Sequence, residues 1–180
     1  VYNAPLGAKA NPGLSPNPTK APWDFAGLQE LLLHIHPLFA FVVMPLIIAG
    51  VLILLPYIPY DENTAGVWFA SHRGRRMAIV AAVVGSVFTP LLILADELFF
   101  DFAVWLPGIP PVVSSGFLPA AIILAALGGF HVFVKRKYSA MNNEAVQAIF
   151  VLLLFAFIIL TITTVWFRGE GMALTWPWEM

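Results

Sequence analysis

The chain has 180 residues, of which 60% are hydrophobic and 11% are charged, and its formal net charge is −1. Because soluble domains carry about 25% charged residues, this composition excludes an ordinary water-soluble fold and predicts an integral membrane protein. The near-neutral net charge gives no indication of a nucleic-acid partner, and the lack of cysteine excludes disulfides, zinc–thiolate sites and cysteine-ligated iron–sulfur clusters in this chain.

Prolines recur throughout residues 1–22, together with Gly7 and Gly13. Because each proline fixes φ and lacks a backbone donor, this spacing forbids a regular helix. We therefore predict that residues 1–35 form an extended Pro-rich N-terminal arm followed by an interfacial segment.

Four uncharged blocks follow, at residues 31–60, 77–95, 102–134 and 145–167. Since a spanning helix needs about 20 apolar residues, each block predicts one crossing. The predicted fold is an all-α integral membrane protein whose domain, residues 36–168, holds four transmembrane helices. These helices are predicted at residues 36–58, 76–99, 116–134 and 144–167, and residues 169–180 are predicted to form a C-terminal tail.

The basic residues predict the orientation of these helices. Four crossings place both termini on one side, with Lys9, Lys20 and Arg168. The two loops on the other side contain twice as many basic residues, at positions 73–76 and 135–137. By the positive-inside rule these loops are cytoplasmic, so both termini and the tail lie on the outer side.

The histidines and the carboxylates near helix ends are the first candidates for chemistry. His34 and His36 fall at the outer start of the first span and His131 near the cytoplasmic end of the third. Because about 30 Å of bilayer separates these ends, the outer pair and His131 cannot ligate one haem together. Asp96 and Glu97 close the second span, either as a proton relay or simply as its end in the headgroup region.

Residues 17–37 have the most distinctive composition of the chain. A proline-rich arm runs into a stretch with an aromatic pair, Trp23 and Phe25, two acids, Asp24 and Glu30, and His34 and His36. Quinol oxidation requires such a mixture, because it needs an apolar slot for the ring and bases that accept its protons. An interfacial anchor with solvated polar residues would give the same pattern.

The run Asn17-Pro18-Thr19-Lys20-Ala21-Pro22-Trp23-Asp24-Phe25, followed by Gln29-Glu30-Leu31-Leu32 and later by Arg73-Gly74-Arg75-Arg76, resembles the C-terminal half of a split bacterial cytochrome b. It is similar to subunit IV of cytochrome b6f complexes. In that family a Pro-Glu-Trp-Tyr motif borders the outer quinol-oxidation site, and Trp23 matches its Trp. The resemblance covers residues 11–100, and the remainder agrees only in helix content.

The resemblance implies a role in quinol oxidation within a multisubunit complex of the bacterial cytoplasmic membrane or an equivalent energy-transducing membrane. It implies quinol contacts at Pro22, Trp23 and Phe25, with menaquinol or ubiquinol as the ligand. The family glutamate is replaced, because Pro22 stands at its position, so proton acceptance would pass to Asp24, Glu30 or His34.

The implied partners are a subunit equivalent to the N-terminal half of cytochrome b, which would carry haem b, and iron–sulfur or cytochrome c subunits. The sequence shows no metal-ligand spacing of its own. Two other readings stay open: a non-catalytic scaffold derived from cytochrome b that anchors peripheral redox subunits, and a small transporter or channel subunit. The transporter reading has least support, because the charged residues lie at helix ends rather than near the midplane.

Overall fold

The computed structural model describes residues 19–57, 67–100 and 102–178, and within them the chain is helical without a named strand. The most N-terminal arm, residues 1–18, lies outside this range. The main helices are, in chain order, α1 (Trp23–Leu33), α2 (Phe39–Tyr57), α3 (Gly74–Leu98), the single turn α4 (Phe102–Trp105), α5 (Val113–Tyr138) and α6 (Asn142–Phe167).

The helices α2, α3, α5 and α6 are each long and apolar enough to cross a membrane. This agrees with the four predicted spans, and the observed limits differ from the predicted ones by only a few residues. The largest difference is at α5, which begins earlier and continues to Tyr138. Its last turn holds Lys135, Arg136 and Lys137. The apolar stems of these side chains can lie along the helix while their charges reach water, so the helix can continue beyond the uncharged block.

The interfacial segment contains a regular helix, α1, rather than continuing the extended arm. Its start is marked by Pro22, whose missing N–H costs nothing before a helix, and its end by His34. The side of α1 that carries Ala26, Gly27 and Glu30 is buried. A Cβ atom at Gly27 would lie only 2.5 Å from the Thr161 hydroxyl, so glycine permits α1 to approach α6 closely.

The last helix, α6, is the packing surface that α1, α3 and α5 share. Gly85 of α3 lies so close to α6 that an added Cβ would be 2.5 Å from the Leu152 carbonyl oxygen. Met77 of α3, Val134 of α5 and Ala148 of α6 form part of one buried apolar cluster. The start of α3 and the end of α5 therefore meet against the start of α6.

The first turns of α2 and α5 are π-helical and contact each other. Phe39 and Phe117 meet edge-to-face with ring centroids 5.0 Å apart, and the His36 N–H donates to the Ser115 carbonyl at 2.9 Å. Gly116 allows this approach, since a Cβ there would be 2.8 Å from the Phe39 Cβ. Beyond its first turns, α2 presents mostly exposed apolar side chains, as expected of a surface covered by lipid or another subunit.

The loop before α3 is fastened to the start of α6 by polar side chains. The Ser71 N–H donates to Glu144 Oε1 and the Phe69 N–H to Gln147 Oε1, both at 2.7 Å. The Gln147 amide in turn donates to the Val67 carbonyl at 3.0 Å. We call this end of the bundle the basic end, because it holds the basic residues at positions 73–76 and 135–137; the opposite end is the His34 end.

Residues 168–178 fold back at the His34 end. The Thr175 N–H donates to the Phe167 carbonyl at 2.8 Å, and Trp176 and Trp178 stack with ring centroids 5.0 Å apart. The Lys20 Nζ lies 3.5 Å from the Val165 carbonyl, so the two described ends of the chain lie at the same end of the bundle.

Candidate functional site

A network of ionisable side chains with a buried centre lies at the His34 end, where α1, α3 and the residue after α6 meet. Its members come from the last turns of α1 and α3 and from the beginning of the tail: Glu30, His34, Asp96, Glu97 and Arg168.

The centre of this network is the pair formed by Glu30 and Arg168, whose side chains are 0% and 2% exposed. The Arg168 Nη2 lies 2.7 Å from Glu30 Oε1, and its Nε lies 3.1 Å from both carboxylate oxygens. The remaining donors of Arg168 reach Glu97 and the Met172 carbonyl at 3.1–3.3 Å. The guanidinium is therefore fully hydrogen-bonded although it is buried, which is the condition for burying a charge at acceptable cost.

His34 connects this pair to Asp96. Its Nδ1 lies 2.6 Å from Asp96 Oδ2, and its Nε2 lies 3.4 Å from Glu30 Oε1. Burial opposes protonation of the ring, but the hydrogen bonds with Asp96 and Glu30 outweigh it and raise the pKa of His34 to about 9. The ring is therefore a cation at neutral pH, and both of its nitrogens are engaged.

The same contacts act on Glu30 in the opposite direction. Burial alone would favour its neutral form, yet the hydrogen bonds from His34 and Arg168 lower the pKa of Glu30 to about 2. The Thr164 hydroxyl lies 3.1 Å from Glu30 Oε2 and 2.8 Å from the Ala26 carbonyl oxygen, and it can donate its proton to either oxygen. Glu30 is thus a fixed negative charge that holds α1 against α6.

A cavity of about 310 Å³ opens beside the His34–Asp96 pair. It lies between the α1–α2 connection, the end of α3 and the start of α5, and its walls combine polar and aromatic side chains. The lining residues are Leu33, His34, Ile35, His36, Pro37, Asp96, Phe100, Phe102, Ser115 and Pro119. This volume lies at the lower end of the range of about 300–1,000 Å³ that is usual for small-molecule sites.

The sequence-predicted site residues divide into two groups in the structure. Glu30 and His34 join the buried network, and His34 also lines the cavity. Pro22, Trp23, Asp24 and Phe25 are exposed at the beginning of α1, and the cavity lining includes none of these four. The structure therefore separates the motif-like residues from the acid–histidine cluster.

Three members of the network have roles that the sequence did not reveal. From the sequence, Arg168 was only one of the basic residues used to predict the orientation. Asp96 and Glu97 were predicted to be either a proton relay or simply the end of the second span. One signal was available: Glu30 and His34 are four residues apart on one helix face, and the predicted topology places Asp96 and Arg168 at the same end.

Within residues 19–57, 67–100 and 102–178, no group of three or more histidine or acidic side chains is arranged to hold a metal ion. Comparison with protein-family models, with curated proteins and with solved structures gives no match for this chain. The resemblance to cytochrome b therefore stays a prediction from the sequence.

Proposed function

We propose that this chain is a haem-free membrane subunit, resembling the C-terminal half of a cytochrome b, that contributes an outer-side quinol-oxidation site to a multisubunit electron-transfer complex. The observation that carries the proposal is the cavity at the His34 end, where a carboxylate–imidazolium pair lies beside aromatic walls. A quinol head group presents a flat apolar ring and hydroxyl donors. The aromatic walls of the cavity suit the ring, and the Asp96 carboxylate suits a hydroxyl donor.

The cavity supplies groups for each part of a quinol. Phe100 and Phe102, which stack with centroids 5.5 Å apart, provide apolar surface near the ring, and Asp96 provides an acceptor for a hydroxyl proton. Oxidation of the quinol releases two protons and two electrons. Iron–sulfur or haem groups on partner subunits would accept the two electrons one at a time. This chain's residues would bind the head group, and Asp96 would take the two protons in turn and release each to water at its exposed side.

The geometry favours Asp96 over the sequence-predicted acceptors. Both nitrogens of His34 already face carboxylates, and Glu30 is sealed behind Arg168. Asp96 is about one-third exposed and lines the cavity. We assign Asp96 as the proton acceptor because it is the acid that lines the cavity, and His34 as the residue that positions it, because their 2.6 Å hydrogen bond fixes the orientation of the carboxylate.

The motif-like residues keep a role in this proposal at the subunit boundary. Trp23 is 77% exposed and Phe25 58% exposed, so both present large apolar surfaces to whatever adjoins α1. In the proposed complex they face the subunit equivalent to the N-terminal half of cytochrome b and, with Pro22, border the quinol tail or ring from that side.

The test is quinol turnover of the membrane complex that contains this chain, purified in mild detergent. Asp96→Asn should lower turnover by about 100-fold, the lower part of the range for losing a general base, with assembly unchanged. Glu97→Gln is the matched control: Glu97 adjoins Asp96 in α3 but contacts Arg168 rather than the cavity, so its loss should have a far smaller effect.

Asp24→Asn separates this site from the motif position. If Asp24→Asn abolishes turnover and Asp96→Asn does not, the proton acceptor lies at the motif and our assignment of Asp96 is wrong. If both variants turn over quinol normally, the scaffold alternative gains support. That alternative is favoured by one observation, the extensive exposed apolar surface of α2, which suits anchoring of a partner without chemistry.

A further inference from the structure

The basic end brings together two groups of cations that are far apart in sequence. Met77 of α3 and Val134 of α5 are both 0% exposed and belong to one apolar cluster against α6. Arg75 and Arg76 directly precede Met77, and Lys135 directly follows Val134. Because both helices pack against α6 at this cluster, their basic residues lie at the same end of the bundle.

A direct contact ties the two groups together. The Arg73 Nη1 lies 3.3 Å from the Tyr138 carbonyl oxygen, so the loop before α3 lies against the end of α5. Seven basic or histidine residues of the two groups are all exposed. We call the patch formed by these seven residues the basic patch: His72, Arg73, Arg75, Arg76, Lys135, Arg136 and Lys137.

Nothing in the described part of the chain neutralises this positive charge. The ion pairs among those residues all belong to the network at the His34 end. Among the described residues, Glu144 is the acid near the patch, but it is buried, and its carboxylate oxygens accept the N–H groups of Ser71 and Met141. The described residues thus leave the charge of the patch unpaired by an acid, which favours binding of an external anion.

The patch is continuous with apolar membrane-facing surface. Ile79, one turn after Arg75, is exposed, as are Val132 and Phe133 one turn before Arg136. The Lys137 Nζ lies 5.2 Å from the centre of the Phe133 ring, which places a cation directly beside that apolar surface. A ligand that covers both surfaces must carry a negative head and apolar chains.

We propose that the basic patch binds an anionic phospholipid, with the phosphate held by Arg75, Arg76 and Arg136 and the acyl chains lying along the exposed faces of α3 and α5. Guanidinium groups suit this ligand because they donate two parallel hydrogen bonds to phosphate oxygens. The position at the ends of two spanning segments puts these groups at the depth of lipid headgroups.

The experiment uses the full chain reconstituted in nanodiscs that contain phosphatidylglycerol and phosphatidylcholine. After extraction, mass spectrometry counts the lipids that stay bound. We expect the wild-type protein to retain phosphatidylglycerol preferentially. The triple variant Arg75→Gln, Arg76→Gln and Arg136→Gln should retain about 100-fold less phosphatidylglycerol. Each cation near an anionic surface strengthens binding by about five-fold, and the variant removes three of them.

Two controls accompany the triple variant. Lys20→Gln removes a cation at the His34 end and should leave retention unchanged. Replacing the same three arginines by lysine keeps the charge but removes the paired donors, so retention should fall between that of the wild-type protein and that of the triple glutamine variant. Thermal unfolding of the wild-type protein supplies a measurement without any variant: phosphatidylglycerol vesicles should raise its unfolding temperature more than phosphatidylcholine vesicles do.

Three results would overturn the proposal. One is equal retention of the two lipids by the wild-type protein, and another is unchanged retention by a folded triple variant. The third is displacement of the bound lipid by excess inorganic phosphate, which would indicate a site for a free anion. Because quinol turnover is measured at the opposite end, failure of lipid binding and failure of the quinol site are distinguishable.

Discussion

Replacing Glu30 by glutamine tests the buried network most directly. The substitution keeps the side-chain shape but removes the charge that faces Arg168 and His34. Breaking a buried ion pair from one side costs about 3–5 kcal/mol, because the remaining charge stays buried without its partner. Since Arg168 keeps its contacts with Glu97 and the Met172 carbonyl, we expect the lower value, about 3 kcal/mol.

The measurement is unfolding of the purified chain in mixed micelles by increasing SDS, followed by far-UV circular dichroism. Glu97→Gln is again the control, because its side chain is 35% exposed and its pair with Arg168 should contribute less than about 1 kcal/mol. In a double-mutant cycle, Glu30→Gln with Arg168→Gln should cost clearly less than the sum of the single changes. Additive costs, or a loss for Glu30→Gln no larger than that of the control, would refute the coupling.

Two further predictions use the same unfolding assay. Because the pKa of His34 is about 9 in the folded chain and 6.5 as its ordinary value, protonation stabilises the fold fully below pH 6.5, and this contribution is lost as pH rises through 9. Between about pH 7 and about pH 10 the free energy of unfolding should fall by up to about 3 kcal/mol, and His34→Gln should remove this dependence; an unchanged slope would contradict it. Gly85→Ala should cost about 1–3 kcal/mol because the new Cβ meets the Leu152 carbonyl, whereas Gly128→Ala, in open space, should be close to neutral. Equal effects of the two alanines would show that the α3–α6 distance is not set by Gly85.

Hydropathy was sufficient to predict the four spanning helices, because the bilayer requires long uncharged runs whatever their partners. It could not predict α1 as a packed helix. That helix is only eleven residues long, and its stability comes from the approach of Gly27 to α6 rather than from local sequence. Its partner residues lie more than a hundred positions away, so no local pattern reports them.

The same limit applies to the candidate site. The sequence placed Glu30, His34, Asp96 and Arg168 at one end of the bundle, since topology fixes the end at which each residue lies. Topology does not fix the direction in which a residue points around its helix. The pairing of Arg168 with Glu30, 138 positions apart, depends on how α1 and α6 are rotated against each other. Only packing of the whole bundle determines that rotation.

The helix α6 is made after α1, α3 and α5, and this order has a consequence for how the chain matures. Among the described helices, α1, α3 and α5 all rest on α6, yet each of them leaves the ribosome earlier. Their contacts with α6 must therefore wait until α6 has been made, which lengthens the period in which α1 can meet other proteins. A chain truncated before Asn142 would enter the bilayer with its earlier helices but without the surface that joins them.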